Sequence, residues 1–134
     1  MKLILADQHH QLIRQGRATS AAQAEGREPP QHKPVVKLFT PDAQCTWLLS
    51  EIDPEEPDIA FGLCDLGMGS PELGSVRLSE IASVRGILGL PVERDEHFRA
   101  QWKLIVYARA AWTAGTITFD SGALSAAASQ DDEP

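Results

Sequence analysis

Residues 93–97, with the sequence Glu-Arg-Asp-Glu-His, form the densest group of side chains able to do acid–base chemistry. An imidazole that a neighbouring carboxylate orients can act as a general base. This makes His97, together with Asp95 or Glu93, a candidate catalytic pair. The structural alternative is a solvated turn that contains an ion pair, and the spacing leaves both interpretations open.

A metal site built on His97 would need further ligands from Glu51, Asp53 or Asp65. The spacings typical of zinc sites, H-E-x-x-H and C-x-x-C, are absent from the sequence. We therefore expect neither a metal nor another cofactor.

Asp65 is a second candidate acid. Strand alternation places it on the same face as Ile59, Phe61 and Leu63. A carboxylate at the end of an apolar face is costly unless it is paired. We expect a cationic partner, and the candidates by charge are Arg77, Arg85 and Arg94. The functional alternative is a proton-donating acid.

The chain has 134 residues, enough for one domain with its own core, and a formal net charge of −7. The acidity lies in the middle, because residues 42–96 hold twelve acids against three arginines. This balance disfavours direct nucleic-acid binding, which needs a basic surface. It favours an acidic surface that binds a protein. The residues that we assign to this surface are Glu51, Asp53, Glu55, Glu56, Glu72 and Arg94.

Four segments are expected along the chain. Residues 1–18 form a helix, for which Asp7 is the predicted N-cap and Gly16 the predicted end. Residues 19–33 form a flexible linker, because they lack periodicity and are rich in small and polar residues. Residues 34–119 form the folded core, and residues 120–134 a disordered acidic tail.

The core is predicted to be of the α+β class, with an antiparallel meander of about four strands packed against a C-terminal helix and short helices. The strands are expected at residues 35–40, 45–52, 59–66 and 75–78. Ser79 should cap a short helix, and an amphipathic helix should end at Gly115. Residues 116–119 are a candidate final strand.

The sequence holds only two cysteines, no signal-peptide core and no apolar stretch of membrane-spanning length. We therefore expect a cytoplasmic protein, of bacterial origin, without a membrane partner.

Several long motifs resemble one family of small bacterial proteins. They are Val-Val-Lys-Leu-Phe-Thr-Pro-Asp-Ala at residues 35–43, Asp-Ile-Ala-Phe-Gly-Leu-Cys-Asp-Leu-Gly at 58–67, Pro-Glu-Leu-Gly at 71–74 and Gly-Leu-Pro-Val-Glu-Arg-Asp at 89–95. The family is Domain of Unknown Function 2958, and the resemblance extends from the first helix to about Gly115. Its members are typically encoded on plasmids and other mobile DNA. It has no established activity, so the resemblance implies no catalytic residue.

The sequence is compatible with two functions. The first is an accessory protein of bacterial mobile elements, a non-enzymatic interaction or regulatory module that binds a protein partner, with DNA-handling machinery as the candidate. The alternative is a small hydrolytic or metal-dependent enzyme. The enzyme would require Asp65, Glu72, Glu93, Asp95 and His97 to converge.

Overall fold

The computed structural model describes residues 2–130. The elements are α1 (Ala6–Ala24), β1 (Val36–Phe39), β2 (Thr46–Ile52), β3 (Ile59–Asp65), β4 (Glu72–Arg77), α2 (Leu78–Ser83), β5 (Glu93–Arg94), α3 (Leu104–Ala114) and α4 (Ser121–Ser129). The strands form one antiparallel sheet in the order β4-β3-β2-β1-β5. The α+β class and the four-strand meander are thus confirmed, and β5 adds a short fifth strand beside β1.

Each face of the sheet is covered by helices. On one side, which we call the α1 face, Trp47 and Leu49 of β2 belong to a core with Leu12 of α1 and Ile81 of α2. On the other side, the α3 face, Leu48 packs with residues of β3, α3 and α4. Strand alternation thus divides β2 between two apolar layers.

A β-bulge in β2 reverses this alternation. The register with β3 shifts between Leu49 and Glu51, so one extra residue lies on the β2 side. Ile52 therefore joins the α1-face core. Glu51 pairs with Phe61, which packs on the α3-face core. Without the bulge, Glu51 would share the face of Leu49.

Helix α1 continues through Gly16, so the predicted helix end at this glycine is wrong. Gly16 is buried, and a Cβ added there would lie 1.8 Å from the carbonyl oxygen of Ile52. The glycine permits the helix backbone to touch β2 rather than to turn. The predicted N-cap is also wrong: Leu5 caps α1, and its N–H donates to the Gln8 side chain, whereas Asp7 lies in the first turn.

The contact covers a strand edge that β1 leaves open. Strand β1 pairs with β2 only as far as Leu49, so the last residues of β2 lack a strand neighbour on that side. There the side chain of Gln15 donates to the carbonyl oxygen of Ser50. An uncovered edge would present unpaired backbone groups, so α1 completes the sheet on this side.

Two predictions for the segments around α1 and α2 differ from the structure. Residues 19–24 of the predicted linker belong to α1, and residues 27–35 have no regular structure. Ser79 lies inside α2 instead of capping it, and its N–H and hydroxyl both donate to Asp58.

The C-terminal region also differs. Helix α3 ends at Gly115, with a φ of 77°, as predicted. Residues 116–119 do not form a strand. Within the predicted tail, α4 begins after Asp120, whose side chain accepts from Ala123 N–H, and it buries Leu124 and Ala127. Residues 131–134, which include three acids, lie outside the described part of the chain.

Between residues 2 and 130, none of the helices combines the length and apolar character needed to cross a bilayer.

The Gly16 contact predicts a large response to a single methyl group. Gly16→Ala must push α1 away from the Ile52 carbonyl, so we expect a loss of about 1–3 kcal/mol in the free energy of unfolding. Urea denaturation measures it. The matched control is Gly74→Ala, since a Cβ there meets nothing within 4 Å and should change stability by less than about 1 kcal/mol. Equal effects of the two substitutions would contradict the role given to Gly16.

Candidate functional site

A cavity of about 460 Å³ opens between the C-terminal half of α1, residues 29–32, the end of β2 and the α3 face of β3 and β4. Its lining combines polar groups with apolar walls. The lining includes Thr19, His32, Glu51, Phe61, Leu73 and Leu104. Concave sites with mostly apolar walls and a few placed polar groups are typical of ligand pockets.

Two carboxylates line this cavity, the half-buried Glu51 and the exposed Asp53. The Oε1 of Glu51 accepts a hydrogen bond from the Thr19 hydroxyl at 3.2 Å, and Thr19 Oγ1 lies 3.2 Å from Nε2 of His32. Burial raises the pKa of Glu51 above the ordinary value of 4.5. The hydrogen bond from Thr19 and the nearby His32 oppose this rise only in part.

Three elements bring these groups together. The bulge in β2 turns Glu51 to the α3 face, and the continuation of α1 beyond Gly16 supplies Thr19. Residues 29–32 are held by a backbone hydrogen bond from Leu104 N–H to the carbonyl oxygen of His32, 2.8 Å long. The site therefore depends on docking of the segment that the sequence presents as a linker.

Sequence reasoning identified Glu51 but neither Thr19 nor His32. A signal for Thr19 exists, because Gly16 and Thr19 are three residues apart and share one helix face. The prediction that the helix ends at Gly16 left Thr19 outside the helix, so this shared face was not considered. His32 lies in irregular chain, and no local pattern places it beside β2.

The chemistry of the cavity suits a cation carried on an apolar stem. A carboxylate that is partly withdrawn from water gains more from an ionic partner than an exposed one does. The stem of a lysine or arginine side chain can lie against apolar surface while its charged end pairs. Phe61, Leu73 and Leu104 supply such a surface beside Glu51.

The structure places Asp65 in a structural role. The residue is 2% exposed, and its carboxylate accepts hydrogen bonds from the Gly67 N–H, the Thr116 hydroxyl and the Ile117 N–H at 2.8–2.9 Å. These donors join the end of β3 to the chain that follows α3.

The predicted ion pair of Asp65 with an arginine is therefore wrong. Arg77 lies at the far end of β4 and interacts with Glu56 and Asp58. Arg94 lies on β5 and donates to the Lys2 carbonyl. Arg85 donates to the carbonyl oxygens of its own segment, those of Ala82 and Val84. Backbone amides and a hydroxyl, which have no charge signature in the sequence, take the place of the cation.

Residues 93–97 comprise the short strand β5 and the turn that follows it, where Asp95 forms an ion pair. Lys37 Nζ lies 3.2 Å from Asp95 Oδ2, and Asp95 Oδ1 accepts the His97 N–H at 2.9 Å. This backbone hydrogen bond is the main reason why the pKa of Asp95 falls below its ordinary value, with Lys37 adding to the effect. The His97 ring is exposed, so the structure favours the solvated alternative for this segment.

The carboxylates required for the enzyme alternative do not converge. Asp65 pairs with Thr46, Thr46 with Phe39, and Phe39 with Glu93. Asp65 and Glu93 are thus three strand spacings apart, about 14 Å. Glu72 pairs with Cys64, so it lies on the opposite face of the sheet from Asp65. Between residues 2 and 130, no three His, Cys, Asp or Glu side chains form a group that could hold a metal ion.

The six residues assigned to an acidic surface do not form one continuous surface. Glu51, Asp53, Glu55 and Glu56 lie together where β2 turns into β3, and we call Asp53, Glu55 and Glu56 the acidic turn. Glu72 is exposed at the opposite end of β4. Arg94 is 9% exposed on β5, beneath the N-terminal segment.

Comparison with known proteins gives one family. The model described as "Protein of unknown function (DUF2958)" matches residues 3–118, nearly the whole chain. Comparison with curated proteins and with solved structures gives no match.

The buried carboxylate of Asp65 predicts a stability loss when it is removed. Asp65→Ala leaves the Gly67 and Ile117 amides and the Thr116 hydroxyl without their acceptor. We expect the free energy of unfolding to fall by about 3 kcal/mol. Asp65→Asn, which keeps one acceptor oxygen and the side-chain volume, should lose less. Chemical denaturation of both variants provides the measurement, and a loss below about 0.5 kcal/mol for Asp65→Ala would refute the structural role.

The raised pKa of Glu51 predicts a pH dependence of stability. Between 4.5 and the raised value, the unfolded carboxyl has ionised while the folded one keeps its proton. The folded state then binds more protons, so this group makes the free energy of unfolding fall as the pH rises. Glu51→Gln should remove that component. Stability curves from about pH 4 to about pH 8 test this, with Glu55→Gln on the exposed turn as control. Parallel curves for the wild type and Glu51→Gln would contradict it.

Proposed function

The chain belongs to the DUF2958 family of proteins of unknown function, and we propose that it is a non-enzymatic interaction or regulatory module that binds a basic segment of a partner protein. The observation that carries the proposal is the half-buried carboxylate of Glu51 in the wall of the 460 Å³ cavity. The acidic turn lies beside it.

The acidic turn and Glu51 differ in their exposure to solvent, so we expect them to act differently in binding. Arg77 lies 3.4 Å from Glu56 and 3.7 Å from Asp58, which reduces the charge at one end of the turn. Asp53 and Glu55 are exposed at its other end. Exposed charges mainly speed the encounter with an oppositely charged partner. Glu51, in a less solvated position, selects the side chain that enters the cavity.

The setting that we propose is bacterial mobile DNA, on the strength of the resemblance described above. A DNA-handling protein of such an element has a basic surface for phosphates. Carboxylates on an acidic module can occupy that surface in place of phosphates. The net charge of −7 is the property that supports this choice of partner.

The hydrolytic or metal-dependent alternative is favoured less, although Glu93, Asp95 and His97 line a common hollow with Lys37. It required Asp65 and Glu72 to converge with these three residues, and both lie elsewhere on the sheet. Asp65 is also buried and accepts three hydrogen bonds from neighbouring groups.

A short fluorescent peptide in which lysine and valine alternate tests the proposal. Glu55→Lys/Glu56→Lys should weaken its binding about tenfold at low salt and less at high salt, because exposed charges are screened. Glu51→Gln should weaken binding at both salt concentrations. The control Glu80→Lys/Glu96→Lys changes the net charge equally, at two exposed positions elsewhere. If both double variants lose the same affinity, the peptide responds to net charge alone and the proposal fails.

A further inference from the structure

We propose that the outer edge of β4 is a strand-addition site, at which an extended segment of the partner pairs as a sixth strand of the sheet. The inference rests on the proposed function for the charge of that segment. The edge itself is a separate observation. An extended peptide that joins a free sheet edge gains main-chain hydrogen bonds, while alternate side chains provide the specificity.

Hydrogen bonds on either side of β3 show which backbone groups of β4 point outward. Asp53 N–H donates to Ile59 O, and Leu78 N–H donates to Asp58 O. In an antiparallel sheet, the N–H and C=O of alternate residues point to opposite neighbours. Odd-numbered residues of β3 therefore bond to β2, and even-numbered residues bond to β4. Within β4, the outward groups belong to Leu73, Ser75 and Arg77.

The structure shows no cover over these groups. Across residues 2–130, the backbone N–H and C=O groups of Leu73, Ser75 and Arg77 make no hydrogen bond to a loop or helix. Strand β4 holds neither proline nor lysine, and its register with β3 runs without a shift from 72 to 77. Proteins usually block an open edge with such residues or with bulges. The other edge strand, β5, is only two residues long.

The boundaries of the edge also suit an inserted strand. At one end, Trp112 Nε1 donates to the Pro71 carbonyl, 3.0 Å away. At the other end the chain enters α2 at Leu78. Between these limits, β4 runs for six residues, and the outward backbone groups of Leu73, Ser75 and Arg77 alternate along it.

The occupant is a basic segment, because the acidic groups near this edge, Glu72 on β4 and Glu56 and Asp58 beside Arg77, outnumber that arginine. The side chains of Leu73 and Ser75 line the cavity that contains Glu51. Side chains of an added strand that share their face will lie beside Leu73 and Ser75 at the mouth of this cavity, three strand spacings, about 14 Å, from the backbone of Glu51. Glu72 is exposed on the other face of β4. Arg77 interacts with Glu56 and Asp58, which reduces its opposition to a basic segment.

A second copy of the chain fits the edge less well. Two copies of β4 that pair antiparallel about a two-fold axis must place same-face residues opposite one another, so the paired numbers differ by an even amount. Glu72 and Arg77 differ by five and can never be opposite. Self-pairing would also bring together two chains that each carry a net charge of −7.

Strand addition predicts which backbone amides of a bound peptide face β4, and N-methylation of those amides tests it. Residues of an added antiparallel strand that bond to Leu73 and Ser75 share the face of these side chains. In the lysine–valine peptide, the amides that face β4 are therefore those of the lysines that point to the cavity. Methylation of the lysine amides should weaken binding about tenfold, and methylation of the valine amides should leave it unchanged. The two methylated peptides have the same charge and the same number of methyl groups.

A variant of the edge provides the second arm. Ser75→Pro removes an outward N–H and keeps the pairing with β3, since proline is tolerated on an edge. It should weaken binding about tenfold, whereas Ser75→Ala should have no effect. Hydrogen exchange in the complex should slow at the amides of Leu73, Ser75 and Arg77. If Ser75→Pro fails to fold, the peptide comparison and the exchange data still decide.

Each outcome separates this inference from the proposed function. Equal binding of the two methylated peptides overturns strand addition and leaves the charge recognition standing. Equal binding of a peptide with glutamine in place of lysine overturns the charge recognition alone. Self-association that Ser75→Pro abolishes, measured by sedimentation, shows a second copy at the edge and overturns the chosen occupant. Lack of binding by all the peptides overturns both proposals.

Discussion

The close contact between Gly16 and the Ile52 carbonyl is the constraint on which the rest of the architecture depends. A helix backbone can touch a strand backbone only where a side chain is missing, and a Cβ at Gly16 would lie 1.8 Å from that oxygen. The contact places α1 along the part of β2 that β1 does not reach. It thereby covers one open edge and completes the α1-face core around Leu12.

The candidate site follows from this docking. Since α1 continues beyond Gly16, Thr19 arrives beside β2, and the bulge in β2 turns Glu51 toward the same cavity. The chain after α1 returns across the opening and is held through His32 by Leu104. A carboxylate that is otherwise costly to bury is thus retained in a wall with apolar neighbours. Such a group has a physical reason to bind a cation.

The two edges of the sheet are treated differently. The free part of β2 is covered by α1, and the β1 side ends in the short β5. Within residues 2–130, by contrast, the outward backbone groups of β4 have no hydrogen-bond partner in a loop or helix. Glu72 lies on the open strand itself, and Glu51 lies two strands away in the cavity that Leu73 and Ser75 also line. The open edge and the acidic groups lie on the same side of the molecule, so we expect the partner to bind from that side.

The sequence by itself determined the elements whose signals are local. Segments rich in β-branched and aromatic residues predicted the meander strands, and Gly115 marked the end of α3. The tertiary structure decided the rest: the partners of Asp65, the function of Gly16, the position of His32 and the helix in the predicted tail. The physical reason is that these features depend on backbone groups and on contacts distant in sequence. In the sequence, a glycine that ends a helix cannot be distinguished from a glycine that lets a strand pack closely against the helix. Only the position of the strand separates the two cases.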